Sequence, residues 1–512
     1  MDTKKLRQKI LDLAIHGKLV PQNPNDEPAS VLLERIRAEK ERLIAEGKIK
    51  RSKKSCANRE QSQTCLNSAE MQPRLAEGKS AASDTSHYEN VPFELPEGWC
   101  WVKIRDLCYY LGGYAFKSTQ YVVSSDNQVI RIGNVKDDKI LLESQPVFIT
   151  DDYAATAESA LLKNNDLLFT MTGTKGKRDY FKTSLVRVSK KRLFLNQRVG
   201  CLRSYSTHVY MEYLCLAMKH TCVLDAIFQT ETGNVSQGNI GSENTLDLLI
   251  PLPPLNEQKR IIQRFQDCIS DIESVELNTI ELKKFIERLK SKILDFAIHG
   301  KLVPQDANDE PASELLKRIN PKAVTSCDNP HYVGGSKIPY NWCFTTLGAI
   351  GKWQSGGTPS RMHKEYYGGN IPWLKTGDLN DGLVTDIPEH ITELGLENSS
   401  AKLNPAGSVL IAMYGATIGK VGILGIPATT NQACCACIEY KGITQQYLFL
   451  FLIANKANFV AAGGGGAQPN ISKEIITKTL IPLPPIKEQN RIVAKVKELF
   501  SQLDMIEKSL QA

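Results

Sequence analysis

The chain has 512 residues, which is too long for one ordinary hydrophobic core and predicts about three or four structural units. Hydrophobic residues make up 42% and charged residues 23%, and these proportions exclude wholesale disorder. The net charge of +7, from 63 basic and 56 acidic residues, permits nucleic acid as a partner but does not by itself require it.

The N-terminal region, residues 1–47, is predicted to form two helices. The first ends at His16 and Gly17, because glycine suits the position after a helix. His16 is expected to interact with the helix C-terminus, which we favour over a metal-ligand or catalytic-base role. A second helix is expected to start in the NDEPAS segment, with Pro28 in its first turn, and to stop at Gly47.

Residues 48–90 are predicted to be a linker, since a basic run at 48–54 is followed by a polar stretch with few aliphatic residues. The basic run could contact phosphates, but a solvated helix end is the favoured interpretation. Residues 91–254 then have the size of a domain. They begin near LPEGWCW at position 95 and end in IPLPP at position 250.

A central region, 255–337, starts with a long predicted helix at 256–298, in which apolar residues step by threes and fours. One three-residue step, from Ile272 to Val275, breaks the heptad phase. The pattern favours a coiled coil over an amphipathic helix packed on a domain core. A second domain-sized segment, 338–485, and a C-terminal helix, 486–512, complete the chain.

Two internal repeats relate these regions. LRQKILDLAIHGKLVPQ at position 6 recurs as LKSKILDFAIHGKLVPQ at position 289, an offset of 283, and IPLPPLNEQKRI at 250 recurs as IPLPPIKEQNRI at 481, an offset of 231. At these offsets the two chain ends together rebuild the central helix. We therefore predict an α/β (α+β) protein with a pseudo-two-fold circular repeat, in which two globular domains alternate with long helices that form an antiparallel coiled coil.

Motifs for chemistry are lacking in the sequence. The group Cys434, Cys435 and Cys437 has no nearby histidine and is expected to be buried reduced thiols, so no metal site is predicted. GTKGK at 173 and GATIGK at 415 have the wrong glycine spacing for a phosphate loop, and no N-P-P-[FY] motif could hold an extruded adenine. We predict neither a catalytic site nor a cofactor in this chain.

The AIHGKLVPQ and NDEPAS segments, the PEGW entry and the IPLPPxxEQxRI exit resemble the specificity subunit of type I restriction-modification systems, over nearly the whole chain except residues 52–90. The resemblance implies two target-recognition domains, each reading half of a split sequence in double-stranded DNA. It also implies two methyltransferase (M) subunits that carry S-adenosylmethionine, and two ATP- and Mg-dependent restriction/translocase (R) subunits. The expected location is the cytoplasm, with no membrane segment.

Base readout needs paired donors and acceptors on loops, while lysines fix the register on phosphates. Candidate DNA-binding residues lie around turn signals in both variable segments. In the first they are Gly112, Gly113, Tyr114, Lys117, Ser118, Arg131, Asn134, Lys175, Lys177, Arg178, Gln197 and Arg198. In the second they are Ser355, Gly356, Gly357, Thr358, Ser360, Arg361, Lys375, Asp378, Tyr414, Lys420 and Gln432.

Lys117, Arg131, Arg361 and Lys375 are the strongest of these candidates, although any one alone could be a solvated residue or a turn former. Two other classes of protein stay open. One is a coiled-coil scaffold whose globular inserts bind proteins, and the other is a self-sufficient restriction or modification enzyme.

Overall fold

The computed structural model describes residues 2–49, 91–187, 189–234, 236–321, 338–464 and 470–510. Nearly all of the predicted linker lies outside the described residues, as do the extreme chain ends, whose meeting stays a prediction. The chain divides into two compact units, here called the N-terminal unit (Asp2–Glu276) and the C-terminal unit (Leu277–Ala512). Among the described residues, no helix is long and apolar enough to cross a bilayer.

The N-terminal unit combines helices with short strands. Its helices are α1 (Thr3–Ile15), α2 (Ala29–Ala45), α3 (Ile104–Leu107), α4 (Asp151–Thr156), α5 (Met211–Ala217), α6 (Thr221–Gln229), α7 (Ser242–Leu246) and the first part of α8 (Leu255–Ile298). Its strands are β1 (Cys100–Lys103), β2 (Cys108–Leu111), β3 (Tyr121–Val122), β4 (Asn127–Ile130), β5 (Val135–Lys136), β6 (Lys139–Ile140), β7 (Phe148–Ile149), β8 (Leu167–Thr170), β9 (Thr172–Gly173), β10 (Thr183–Leu185), β11 (Arg192–Leu195), β12 (Val199–Ser204), β13 (Thr232–Asn234), β14 (Gln237–Asn239) and β15 (Leu249–Leu252).

The C-terminal unit repeats this plan after the remainder of α8. Its further helices are α9 (Ala312–Ile319), α10 (Leu347–Ile350), α11 (Glu393–Glu397), α12 (Gln445–Ala454), α13 (Lys456–Ala462), α14 (Lys473–Lys478) and α15 (Ile486–Ser509). Its strands are β16 (Cys343–Thr346), β17 (Gly351–Ser355), β18 (Tyr367–Leu374), β19 (Gly382–Val384), β20 (His390–Ile391), β21 (Val409–Ala412), β22 (Val421–Leu424), β23 (Thr429–Thr430), β24 (Cys434–Tyr440) and β25 (Leu480–Leu483).

Each globular part is built from small sheets that enclose apolar cores. In the N-terminal unit the main sheets have the orders β10-β8-β12-β2 and β11-β4-β7-β3, and in the C-terminal unit β17-β24-β21-β22-β19 and β20-β18-β23. The entry and exit segments pair directly: β1 is antiparallel to β15, and β16 to β25. The first and last strands of each globular part therefore lie side by side, next to the helices.

The helix stop after α1 serves as a docking point for the globular part. Gly17 has φ +67°, and a Cβ at this position would lie 2.6 Å from Cγ of Pro96, in the PEGW segment. Gly300 repeats the arrangement after α8, with φ +65° and Pro339 at 2.3 Å. Glycine is needed at both positions for the left-handed backbone and for the close approach.

The second helix starts later than the sequence indicated. Pro28 is the N-cap of α2 and lies outside the helix, because the residues before it are used in tertiary contacts. Asp26 accepts a hydrogen bond from Arg260 Nη2 at 2.7 Å, and the Ala29 N–H donates to the Gly98 carbonyl at 2.8 Å. The NDEPAS segment thus joins α8 to the domain entry.

A buried tryptophan and a buried glutamate form the junction between each globular part and its helices. Trp99 Nε1 donates to Glu257 Oε2 at 3.1 Å, and Trp342 Nε1 donates to Glu488 Oε2 at 3.0 Å. Burial raises the pKa of both carboxyl groups, opposed by the tryptophan hydrogen bonds. The two sites differ in one respect, since Glu488 Oε1 also accepts from Gln305 Nε2 at 2.6 Å, whereas Glu257 Oε1 has no partner among the described residues.

The terminal helices pair with α8 through repeated ion pairs. In the N-terminal unit Arg7 lies 2.9 Å from Glu276 and 3.8 Å from Glu273. In the C-terminal unit Lys290, which is equivalent to Arg7, lies 2.6 Å from Asp504 and 3.7 Å from Glu507.

The junctions give the direction of each helix pair. Gly17, at the end of α1, adjoins Trp99 and so the start of α8, whereas Arg7 lies further along α8. In the C-terminal unit the end of α8 adjoins Trp342 and so the start of α15. Both pairings are therefore antiparallel.

The heptad residues of α8 are not uniformly covered. Ile272 and Ile286 are 4% and 2% exposed, but Val275 and Leu282 are 45% and 37% exposed. The phase break at 272–275 thus coincides with a change from a buried to an exposed apolar position.

Gly17→Ala is expected to destabilise the N-terminal unit more than Gly47→Ala. Both glycines have positive φ, so each substitution incurs about 1–2 kcal/mol of backbone strain. Only at Gly17 would the new methyl group also overlap Pro96, which adds about 1–3 kcal/mol. Urea unfolding of the full chain measures the difference, and equal losses for the two variants would contradict this packing.

The pH dependence of stability should differ between the two junction glutamates. A carboxyl group whose folded pKa is raised makes the folded state bind more protons, so stability falls as pH rises from the unfolded value of about 4.5 through the folded pKa. Glu257→Gln and Glu488→Gln should both reduce this fall. We expect the larger effect at Glu257, whose second oxygen lacks the Gln305 hydrogen bond. Unfolding at pH 4.5 and pH 7.5 tests this, and an unaltered pH slope in both variants would refute it.

Candidate nucleic-acid interface

Two loops in each globular part are held together by glycines. A Cβ on Gly113 would lie 2.2 Å from the carbonyl oxygen of Asn196, and a Cβ on Gly356 would lie 2.2 Å from that of Asn431. The loop after β2 therefore lies against the loop between β11 and β12, and the loop after β17 against the one between β23 and β24. These contacts bring Tyr114 next to Gln197, and the Gln197 N–H donates to the Tyr114 carbonyl oxygen at 3.2 Å.

In the C-terminal unit three charged residues meet on this surface. Arg361 Nη2 donates to Glu389 Oε2 at 2.9 Å, and Lys375 Nζ donates to Glu389 Oε1 at 2.8 Å. The Lys375 hydrogen bond, followed by that of Arg361, holds the pKa of Glu389 below its usual value. Sequence reasoning predicted the two cations but missed the carboxylate between them, which is distant from both along the chain.

Aromatic rings orient the Arg361 guanidinium. Its central carbon lies 4.2 Å from the ring centroid of Tyr367 and 5.2 Å from that of Trp373. Arg361 is exposed nonetheless. A stacked guanidinium with one nitrogen bound to a carboxylate is fixed in direction and still presents other N–H groups to solvent.

The N-terminal unit shares one cation of this cluster. Arg131 is equivalent to Lys375, because each precedes a matching 3₁₀ turn at an offset of 244. The residue equivalent to Glu389 is Val147, since the Val129 N–H donates to the Val147 carbonyl as the Trp373 N–H donates to that of Glu389. Arg131 Nη2 donates instead to the Gln145 carbonyl oxygen at 2.7 Å.

The segments IRIGN at 130–134 and LKTGD at 374–378 contain matching 3₁₀ turns. The N–H of Arg131 donates to Asn134 Oδ1 at 2.9 Å, and the N–H of Lys375 donates to Asp378 Oδ2 at 2.8 Å. Asn134 is only 2% exposed, and its amide nitrogen also donates to the Leu141 and Ser144 carbonyls. This burial argues against a direct DNA contact for Asn134, which shapes the loop instead.

The basic loop at 174–178 is anchored to neighbouring elements. Lys175 Nζ donates to the Gly233 carbonyl at 2.9 Å, and Arg178 is ion-paired with Asp225 at 2.6 Å. Lys177 is exposed. Lys175 and Arg178 are thus positioned by protein partners, while remaining at the surface.

The remaining candidates lie on or beside the loops already described, except Tyr414 and Lys420, which lie between β21 and β22. Ser118 begins a 3₁₀ turn, Ser355 ends β17, and Thr358 is hydrogen-bonded to Gln432. Exposed positions among the others are Arg198, Ser360 and Tyr414, whereas Lys420 is half-buried and Gly357 buried. Backbone packing accounts for Gly357, since a Cβ there would lie 2.3 Å from the Ala401 nitrogen.

The described cysteines are free thiols, and eight of these ten are buried. Burial raises the pKa of Cys435 and of Cys437 to about 12. These β24 cysteines are therefore protonated core residues, which confirms the interpretation made from the sequence.

The family model for the type I restriction modification DNA specificity domain matches residues 96–282 and again residues 339–512. The EcoAI specificity subunit of Escherichia coli is 27% identical over 97% of this chain and 89% of its own length. The EcoEI specificity subunit of Escherichia coli is 25% identical over 99% and 91%.

Solved structures show the same fold. The HsdS subunit from Thermoanaerobacter tengcongensis has a TM-score of 0.53 at 19% identity, covering 82% of this chain and 93% of that chain. A structure described under complex assembly and conformational transition of the type I R-M system has a TM-score of 0.51 at 18% identity, covering 82% and 94%. Since the family model matches well over half of the chain, in two copies that each contain one globular part, the chain belongs to the family of type I restriction-modification specificity subunits.

Proposed function

We propose that each globular part reads one half of a bipartite target in double-stranded DNA, through the neighbouring loops that its glycines hold together. The observation that carries this proposal is the equivalence of the two interfaces. Arg131 and Asn134 in one unit and Lys375 and Asp378 in the other hold the same places in matching turns, beside loops that pack at Gly113 and Gly356. An equivalent scaffold with different side chains suits two readers of different half-sites.

Within the second interface, Arg361 is proposed to contact a base and Lys375 a phosphate. An arginine fork can donate two hydrogen bonds to guanine O6 and N7, whereas lysine acts as a point charge. Stacking on Tyr367 and the bond to Glu389 support this role for Arg361, because they fix its direction before DNA arrives.

The chain itself is proposed to be non-catalytic. S-adenosylmethionine would be held by two methyltransferase subunits, and ATP and Mg by two restriction/translocase subunits of a cytoplasmic complex. The duplicated helical frame supports the number two, because it offers two equivalent docking surfaces. A mass measurement that finds one methyltransferase per specificity chain in an active complex would refute this stoichiometry.

Arg361→Ala should relax specificity in one half-site and leave the other half unchanged. Losing a bidentate base contact lowers discrimination at that base by about 1–3 kcal/mol, or roughly 5- to 150-fold. Mapping methylated adenines in cells that carry the chain and its partners measures this. Arg318→Ala is the matched control, since Arg318 is exposed and paired with Glu310 on the helical frame. A methylation pattern that is unchanged by Arg361→Ala would contradict the base contact.

The helices are proposed to set the spacer between the half-sites. Inserting four residues near Asn278, and at the equivalent position near the end of α15, adds about 6 Å of helix. At about 3.4 Å per base pair, the recognised spacer should grow by about two base pairs. The same methylation mapping tests this, and an unchanged spacer would refute the proposal.

A further inference from the structure

Three potential metal ligands converge in the N-terminal unit, at the end of α1 and the start of α6. Asp12 and His16 lie one turn apart at the end of α1, and His220 is the N-cap of α6. One ligand atom from each lies within 4.8 Å of the others. His220 is 208 residues from Asp12 in sequence, so only folding brings it to the other two.

Two of the three separations between ligand atoms suit a tetrahedral metal site. Asp12 Oδ1 lies 3.2 Å from His220 Nε2 and 3.4 Å from His16 Nδ1. Metal bonds of about 2.0–2.1 Å to zinc place neighbouring tetrahedral ligands about 3.3 Å apart. We propose that Asp12, His16 and His220 bind a divalent transition-metal ion of the zinc class, which ties the end of α1 to the start of α6.

The surroundings of His220 support a ligand role. Its side chain is 3% exposed, and its Nε2 lies 3.2 Å from Asp12 Oδ1. As the N-cap, Nδ1 accepts the Cys222 N–H at 3.3 Å; with a metal on Nε2 the proton would move to Nδ1, which could then donate to Cys222 Sγ at 2.9 Å. Asp12 is 53% exposed, which leaves room for water as the fourth ligand.

His16 has a helix-end contact as well. Its Nδ1 lies 2.8 Å from the Asp12 carbonyl oxygen. The Nδ1–H donates this hydrogen bond, so metal binding at Nδ1 would require the proton to move to Nε2, and His16 would change from a cap to a ligand. The preference for a capping role was based on the sequence of α1 alone, which does not indicate that His220 lies nearby.

The second repeat provides an internal control. Asp295 and His299 repeat the first pair, with His299 Nδ1 2.7 Å from the Asp295 carbonyl and 3.2 Å from its carboxylate. Tyr213 in α5 and Tyr447 in α12 are equivalent, because their hydroxyls donate to the Pro251 and Pro482 carbonyls. Counting from these tyrosines, the position of His220 corresponds to Ala454. Ala454 and Asp295 line one open cavity there. The second repeat therefore has the capping pair without the third ligand.

The experiment uses the full chain, stripped with a chelator and titrated with ZnCl₂ by calorimetry. We expect one Zn²⁺ per wild-type chain and an affinity more than about 100-fold lower for His220→Ala. His208→Ala, which changes an exposed histidine outside the cluster, should bind like the wild type. Ala454→His should raise the stoichiometry toward two.

Elemental analysis and thermal unfolding provide a second readout that does not depend on DNA recognition. Zn²⁺ should raise Tm for the wild type and for His208→Ala, but not for His220→Ala. Equal zinc content in wild type and His220→Ala would overturn the proposal, because the metal would then be held by other residues such as cysteines. No zinc uptake by the wild type would overturn it equally.

Discussion

The hydrogen bond from a buried tryptophan to a buried glutamate is the contact on which each half of the molecule depends. Trp99 and Trp342 enter from the globular parts, and Glu257 and Glu488 from the first turn of the following helix. An unpaired carboxylate in this position would be expensive, so the bond couples the placement of the domain to that of the helix. The neighbouring glycine turns, the proline-rich exit strands and the helix pairs are all arranged around it.

The two repeats share the contacts of this frame, whereas their loops differ. Ion pairs, junction and helix stops recur almost contact for contact, whereas the loops differ in length and in charge. The contrast around the equivalent cations illustrates this: Lys375 shares the Glu389 carboxylate with Arg361, whereas Arg131 donates to the backbone carbonyl of Gln145. A frame that must hold two domains alike constrains its residues through packing, whereas loops that read different half-sites are free to vary.

The two repeats also differ within the frame itself. His220 in one half and Ala454 in the other have different surroundings, although the aspartate and histidine of the preceding helix are common to both. A duplicated scaffold can thus acquire an additional interaction in one copy, without altering the contacts that hold domain and helix together.

Much of this organisation was present in the sequence, because repeated motifs, glycine stops and apolar periodicity can be recognised without the fold. They predicted the two domains, the long helix and the buried cysteines, and the resemblance of the motifs predicted the family. The start of α2 was misjudged, since Asp26 and Ala29 are engaged by residues far along the chain. Similarly, Glu389 was not predicted as part of the interface, and Asn134 was predicted to bind DNA although its side chain is buried. Burial and ion pairing between loops are not local properties of the sequence. The meeting of Asp12 and His16 with His220 was likewise decided only by the tertiary structure, which joins residues about 200 positions apart through packing that no local pattern encodes.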